Sequence, residues 1–314
     1  TVVPALLYGG TERVVWWLGK ELVRRGHRVT YLAAGGSTCP FGKVRVYNPN
    51  LPIHQQIPDD IDLVHLQFEP AHPVQQPYLI THHGNVHRKE EFDINTVFVS
   101  RNQAERNSSI CYVHNGLDPD EYGPVDFSRR RENLLFLAYA KRPEKNLRDC
   151  SYIARKTKNI LTVAGGKDRW FKRRPWLRYA GFVGGAAKNA IIQASKALLF
   201  PVRWHEPCGI AILEAFYFGC PVIGSCYGSL PELVPPGMGF LSNHLSELID
   251  AVQHLERFSP RRCHEYLCDQ LSAKQMTSRY LSLYEKVLAG KTLNPRPPIN
   301  HGNFSCDKLL PIYR

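Results

Sequence analysis

A chain of 314 residues, 43% hydrophobic and 22% charged, is long enough for one large or two ordinary soluble domains with a real core. No apolar run approaches the ~18–20 residues that span a bilayer, and the opening TVVPALLYGG has no charged leader, so neither a membrane-spanning nor a secreted protein is expected. The nine cysteines are scattered without the paired spacing of a zinc site, which fits a reduced, cytoplasmic protein, while a net charge of +12 draws nucleic acid, anionic lipid or phosphorylated substrate without choosing among them.

Val2 and Val3 read as the end of a strand, and a loop through Gly9 and Gly10 leads to a helix over 12–25 with Thr11 as its cap. Val14, Leu18 and Leu22 give that helix one apolar face, Arg24 and Arg25 suit its last turn, and Gly26 stops it. The Gly-Gly turn lacks the spacing of a dinucleotide fingerprint. Strands are expected at 28–33, 62–66, 78–81, 96–100 and 111–114, with proline- and glutamine-rich connections at 49–58 and 70–77. His82 and His83 directly follow the 78–81 strand. Two histidines this close suit either a polar turn or a metal, but no third ligand is evident nearby. Asn115-Gly116 signals a turn, and a polar linker through Arg129, Arg130 and Arg131 follows.

The second half repeats a βα rhythm. A strand at 134–138 leads through Lys141-Arg142-Pro143-Glu144-Lys145-Asn146 to a helix at 147–156, and a strand at 159–164 ends in Gly165-Gly166. The basic-aromatic loop 167–176 suits base stacking, a lipid headgroup layer, or tryptophans packed on the domain with the charges in water. The stretch 196–234 organises the rest. Apolar runs at 196–202 and 220–223 have strand length and suit a parallel sheet covered on both faces, and between them a helix at 210–218 runs from Gly209 to Gly219. Glu206 therefore falls in the loop at the carboxyl end of a strand and Glu214 about one turn into the next helix, where ligands bind in open α/β sheets. The amides of Cys208, Gly209, Ile210 and Ala211 point at the same space, and a helix N-terminus there favours a diphosphate. Ser229 and Glu232 around Pro231 have the pattern of a capping box. Helices at 245–255 and 273–288 precede an irregular tail, with Met276, Tyr280 and Tyr284 as packing residues of the last helix.

Glu206 and Glu214 with seven residues between them, the Gly209 turn, Glu214-Ala215, Gly219-Cys220-Pro221-Val222 and Pro231-Glu232-Leu233 together resemble the signature of the retaining glycosyltransferases of family 4, the glycosyl transferases group 1. The resemblance covers most of 8–288 and is stronger in the second half. It implies the α/β GT-B fold, with two Rossmann-like domains facing across a cleft: 1–124 on the acceptor side, 125–272 for the nucleotide sugar, the 273–288 helix crossing back to the first domain, and 289–314 as the tail. The turn at Asn115-Gly116 resembles the marker for the end of the first domain.

The activity so implied is transfer of a sugar from a nucleotide diphosphate sugar, UDP- or GDP-linked, to an acceptor hydroxyl with retention of configuration. The donor is the substrate; no metal and no cofactor are expected. Gly9 and Gly10 resemble the N-terminal diphosphate loop, although the family has a fuller first strand, so the start of this chain looks clipped. A histidine at the position of His82 or His83 approaches the donor sugar or the acceptor. Lys145 aligns with the lysine that holds the diphosphate, but the companion arginine position falls on Ala140, which leaves Lys141 or Arg142 to supply that charge. Val183, within 181–185, corresponds to the segment that holds the donor's base through main-chain groups. Glu214 would accept from the ribose hydroxyls and Glu206 from those of the transferred sugar. The implied partners are the donor and an acceptor, with no nucleic acid; the basic surface favours a glycan or glycolipid acceptor of envelope polysaccharide or lipopolysaccharide synthesis and peripheral contact with an anionic membrane from the cytoplasmic side. Two other classes stay open on sequence alone: a phosphorylase-like GT-B enzyme with a pyridoxal phosphate lysine, and a basic nucleic-acid-binding protein.

Overall fold

A computed structural model describes residues 2–4, 9–166, 174–302 and 308–314. The chain divides into two compact units, Thr1–Asp118 with Ser272–Ser305 and Pro119–Leu271 with Cys306–Arg314.

The first unit opens with helix α1 (Gly10–Arg24), which starts two residues earlier than its apolar stripe suggests. Gly9 takes the cap position without a side-chain bond, so Thr11 lies inside the first turn rather than capping it. Val14, Trp17 and Leu18 are the buried face. Strands β1 (Thr30–Ala33) and β2 (Lys43–Val46) form a parallel pair. A separate parallel sheet has the order β3 (Val64–Leu66), β4 (Tyr78–His82), β6 (Thr96–Phe98), with β5 (Lys89–Glu91) outside it. The strand expected to reach residue 100 stops at Phe98 because Ser100 turns to cap α2 (Arg101–Arg106), its side chain accepting from the Gln103 amide. Residues 111–114 form no full strand. Cys111 and Val113 bond to the Phe98 backbone, and the pairing is a single bridge from Phe98 to Tyr112.

The second unit is built on one six-stranded parallel sheet: β7 (Asn133–Leu137), β8 (Leu161–Ala164), β9 (Leu177–Gly181), β10 (Ser195–Phe200), β11 (Val222–Gly224) and β12 (Gly239–Leu241). Their spatial order is β12-β11-β10-β7-β8-β9. The order reverses between β7 and β10, which pair directly, and the crevice outside the carboxyl ends of those two strands is where this topology places ligands. Leu134, Leu135, Phe136, Leu198, Leu199, Val222 and Ile223 are all buried, as continuous apolar strands covered on both faces must be. The covering helices are α3 (Leu147–Lys156), α4 (Gly185–Gln193), α5 (Ile210–Tyr217), the single turn α6 (Leu230–Leu233), α7 (Leu245–Gln253) and α8 (Pro260–Gln270). Helix α8 escapes sequence reading because it is mostly polar and buries only Cys263 and Leu267, one turn apart. Ser229 does not form the expected capping box. Its backbone is helical and its side chain makes no cap bond, while its amide bonds to the Glu206 carbonyl at 2.9 Å.

The chain returns to the first unit as α9 (Ala273–Leu288), which packs against α1 and β4. Met276, Tyr280 and Tyr284 are buried there, and both tyrosines also carry polar contacts. The tail is not wholly irregular: β13 (Ile299–His301) pairs antiparallel with β5, its Asn300 side chain donating to the Val86 carbonyl.

Candidate active site

Two loops at the carboxyl ends of β7 and β10 bring together most of the candidate residues of the second unit. After β7, Ala140 is buried within the unit's apolar core, its amide bonded to the Gly165 carbonyl. The position that relatives give to an arginine is thus built into the core. Lys141 is exposed, and the exposed Arg142 is engaged by Glu144 at 2.5 Å with its guanidinium 5.6 Å from the Trp204 ring centroid. Asn146, in left-handed backbone at φ 59°, caps α3 by accepting from the Asp149 amide and donates to the Pro201 carbonyl at 2.8 Å, tying this loop to the one after β10. Lys145 lies between, in a short turn, and its ammonium reaches Glu206 Oε2 at 2.6 Å.

Glu206 is buried, and the same Oε2 accepts from Trp204 Nε1 at 2.8 Å. The lysine ammonium stands 4.6 Å from the Trp204 ring centroid and 5.6 Å from that of Phe200, so aromatic faces wall the ion pair. Two glycines make the geometry feasible. Gly209, at φ 75° ahead of α5, has left-handed backbone, and a Cβ there would stand 3.1 Å from Ile212 Cδ1 and 3.4 Å from Glu206 Cγ. Gly228 packs so closely on the Glu206 backbone that any Cβ would overlap it. Cys208 is buried, while Ile210 and Ala211 are half-buried in the first turn of α5.

Glu214, one turn into α5, is also buried, and its Oε1 is held by Lys188 Nζ from α4 and by Tyr122 OH at 2.7 Å. The Lys188 ammonium also lies 5.6 Å from the Tyr122 ring centroid. A buried carboxylate without a partner is costly. Each glutamate here has its own lysine, half-buried Lys145 for the first and buried Lys188 for the second, and one neutral donor, Trp204 for the first and Tyr122 for the second. Sequence reading gave no site role to Lys188 or Trp204, and placed Tyr122 only in the marker for the end of the first domain. A lysine inside the apolar turn sequence of α4 was the available signal. Val183 is half-buried between β9 and α4, next to Phe182, which is 66% exposed and whose ring lies 5.7 Å from Tyr139.

The remaining predicted positions belong to the first unit. Gly9 and Gly10 form the start of α1. His82 closes β4 with its ring 4.9 Å from Phe92 and 6.0 Å from Phe98, and its Nε2 has no hydrogen-bond partner among the described residues. Burial lowers its pKa despite the opposing charge of Glu90. His83 Nε2 bonds Gln67 Oε1 at 2.7 Å, and burial with the nearby His82 takes its pKa to about 4. His65, which sequence reading passed over, bridges Tyr284 OH at 2.8 Å and Thr81 Oγ1 at 2.7 Å, and burial takes its pKa to about 3. Thr81 in turn meets Tyr280 OH at 2.9 Å. All three histidines are neutral at pH 7. Among the described residues no group of three or more histidines, cysteines or carboxylates has the arrangement of a metal site, and no helix is long and apolar enough to cross a membrane. Residues 167–173 of the basic-aromatic loop lie outside the described residues. At its described end Trp176 packs on the core and donates Nε1 to Ser151 Oγ at 3.1 Å.

Residues 132–257, which contain both glutamates and both lysines, match the family model described as glycosyl transferases group 1. The fold is that of the GT-B glycosyltransferases: the solved structure of AviGT4, a glycosyltransferase involved in avilamycin A biosynthesis, superposes with a TM-score of 0.76 at 23% identity over 93% of this chain and 94% of its own. Anabaena HepE, solved with UDP and glucose, gives a TM-score of 0.62 at 13% identity over 88% of this chain and 96% of its own. Among curated sequences, the N-acetyl-alpha-D-glucosaminyl L-malate synthase of Bacillus anthracis is 21% identical, covering 89% of this chain and 94% of its own. An uncharacterized 41.2 kDa protein in the cps region of Klebsiella pneumoniae is 29% identical over 114 residues, 34% of this chain and only 32% of that protein.

Proposed function

We propose that this chain is a retaining, metal-independent glycosyltransferase of family 4 that moves a sugar from a nucleotide diphosphate sugar, UDP- or GDP-linked, to the hydroxyl of a glycan or glycolipid acceptor. The observation that carries the reading is the Lys145–Glu206 pair at the β7/β10 switch point, with Glu214 one turn along the adjoining helix. Cleavage of a glycosidic bond to diphosphate leaves negative charge on the leaving group, and a preoriented ammonium in a partly dry site stabilises that charge where it develops. Donor binding draws Lys145 from Glu206 to the diphosphate. The freed carboxylate then accepts from hydroxyls of the transferred sugar, while Trp204 keeps it oriented. Glu214, neutralised and fixed by Lys188, presents its second oxygen to the ribose. The amides of Cys208 to Ala211 face the diphosphate, and the backbone near Val183 takes the base. Lys141 or Arg142 stands in for the arginine that Ala140 excludes. The family resemblance further assigns Gly9 and Gly10 of the first unit to a diphosphate loop and His82 or His83 to the donor sugar or the acceptor. No nucleophile is assigned, because the leaving phosphate acts as base in a front-face attack.

The donor is the substrate, and no resident cofactor is required. The acceptor reading, envelope polysaccharide or glycolipid synthesis at the cytoplasmic face of a membrane, is supported by the charge of +12. The test is a thermal-shift screen of the purified chain against a panel of nucleotide sugars and the matching diphosphates. Stabilisation by one nucleotide diphosphate and its sugars is expected. No stabilisation by any member overturns the reading.

A further inference from the structure

The loops described above use one end of the parallel sheet in the second unit. At the other end, helix α3 finishes and β8 and β9 begin, and the chain there is strongly basic. Residues 152–158 and 174–178 carry Arg155, Lys156, Lys158, Arg174 and Arg178, with no aspartate or glutamate among them. Four cations cluster on two aromatic rings. Arg155 lies 5.4 Å from the Tyr152 centroid and 5.7 Å from that of Trp176. Lys156 and Arg314 lie 5.6 and 5.9 Å from Tyr152, and Arg174 lies 5.5 Å from Trp176. Both rings are half-buried against the core, whereas all of these cations are exposed.

A helix C-terminus attracts cations, which accounts for Arg155 and Lys156, but Arg174, Arg178 and Arg314 come from other segments. Arg155, Lys156, Lys158, Arg178 and Arg314 form no ion pair among the described residues. The carboxylates of the neighbouring α7 are directed elsewhere, Glu247 to Ser242 and Asp250 to His254. Uncompensated charge gathered from three segments around two amphipathic rings calls for an anionic surface.

We propose that this face docks the protein on a membrane rich in anionic phospholipid. The alternative polyanion, a nucleic acid, is disfavoured by the rings themselves. Single strands are gripped by stacking bases on free aromatic faces, and here cations already cover Tyr152 and Trp176. A headgroup layer asks instead for an array of cations with tyrosine and tryptophan at the polar boundary. The proposal rests on the peripheral-membrane part of the proposed function and not on its donor chemistry.

The experiment is co-sedimentation of the full chain with vesicles of phosphatidylcholine alone and of equal parts phosphatidylcholine and phosphatidylglycerol, at low and high salt. A triple variant, Arg155→Ala with Lys156→Ala and Arg314→Ala, is run beside it and checked for an unchanged melting temperature. Binding to the anionic vesicles alone, weakened by salt, is expected. Each basic residue near such a surface is worth about fivefold in affinity, so the triple variant binds on the order of 100-fold more weakly. Arg155→Lys, which keeps the charge, binds within a few-fold of the parent. Equal binding to neutral vesicles, no loss in the triple variant, or capture by a short single-stranded oligonucleotide in preference to vesicles overturns the proposal. Nucleotide-sugar stabilisation measured on the same triple variant separates the two readings: it persists when only the docking surface is wrong.

Discussion

The candidate glutamates of the second unit and the histidines of the first unit are held in opposite ways. In the second, Glu206 and Glu214 are buried as ion pairs, each with its own lysine. In the first, His65 and His83 are kept neutral by burial and bonded to uncharged partners: Tyr284 and Thr81 for one, Gln67 for the other. Paired charges at the carboxyl ends of a parallel sheet can be exchanged for those of a ligand, because a diphosphate or a hydroxyl replaces one partner without stranding the other. Neutral histidines among aromatic rings offer no such exchange. They set shape and supply a proton acceptor. Buried ion pairs are not confined to the second unit, since Asp118 of the first is held by Lys20 at 2.6 Å, but the contrast between these glutamates and histidines can be broken at either end.

The largest effect is expected from Lys145→Met. Loss of a cation aimed at developing charge lowers turnover by roughly 10²–10³-fold, and the stranded Glu206 carboxylate lowers stability by about 3–5 kcal/mol, read from denaturant unfolding. Lys188→Met comes next. It frees a buried carboxylate in the same way, but its expected kinetic signature is about a tenfold rise in donor KM, worth ~1.4 kcal/mol, with kcat little changed, because the proposed function gives Glu214 the ribose rather than the reacting atoms. Lys188→Met combined with Glu214→Gln should regain most of the stability without regaining the affinity. Gly209→Ala places a side chain at φ 75° and pushes on Ile212 and Glu206, a cost of about 1–3 kcal/mol, seen as a lower melting temperature together with reduced donor binding.

A further effect concerns pH. The pKa of His65 is about 3 and that of His83 about 4 in the folded chain, against 6.5 when exposed. Between those values the unfolded chain binds protons that the folded chain refuses. Histidine-linked stability is therefore unchanged above pH 6.5 and falls as the pH drops from 6.5 toward 4. Replacing His65 with Gln should flatten that slope in thermal melts. A slope identical to the parent's would mean that His65 is not a source of it.

Much of the second unit was legible because its signals are local. Apolar runs of strand length, Gly209 and Gly219 fix where β10 and α5 lie, and so place Glu206 and Glu214 at a strand end and a helix start. Lys145 was singled out through the family resemblance, which places a lysine in the loop after β7. What escaped was what those residues touch. Tyr122 and Lys188 lie far along the chain from Glu214, and nothing in their own neighbourhoods announces a carboxylate. The capping box at Ser229 failed because the chain there is drawn onto the Glu206 carbonyl, a tertiary bond that overrides a local preference. In the first unit the strands are short and one expected strand reduces to a single bridge, so periodicity had little to act on. Tyr280 and Tyr284 read as packing because helical spacing reports a buried face and not the hydroxyls that serve Thr81 and His65.

The central claim is that the Lys145–Glu206 pair is a donor site and not merely a buried ion pair. The most direct measurement compares the parent with the variant carrying both Lys145→Met and Glu206→Gln, following sugar transfer from the nucleotide sugar that most stabilises the parent. Removing both charges spares the fold the cost of an unpaired partner, so the double variant should unfold near the parent's midpoint while transfer and nucleotide-diphosphate binding are lost. A double variant that remains folded and transfers sugar at the parent's rate would contradict the account.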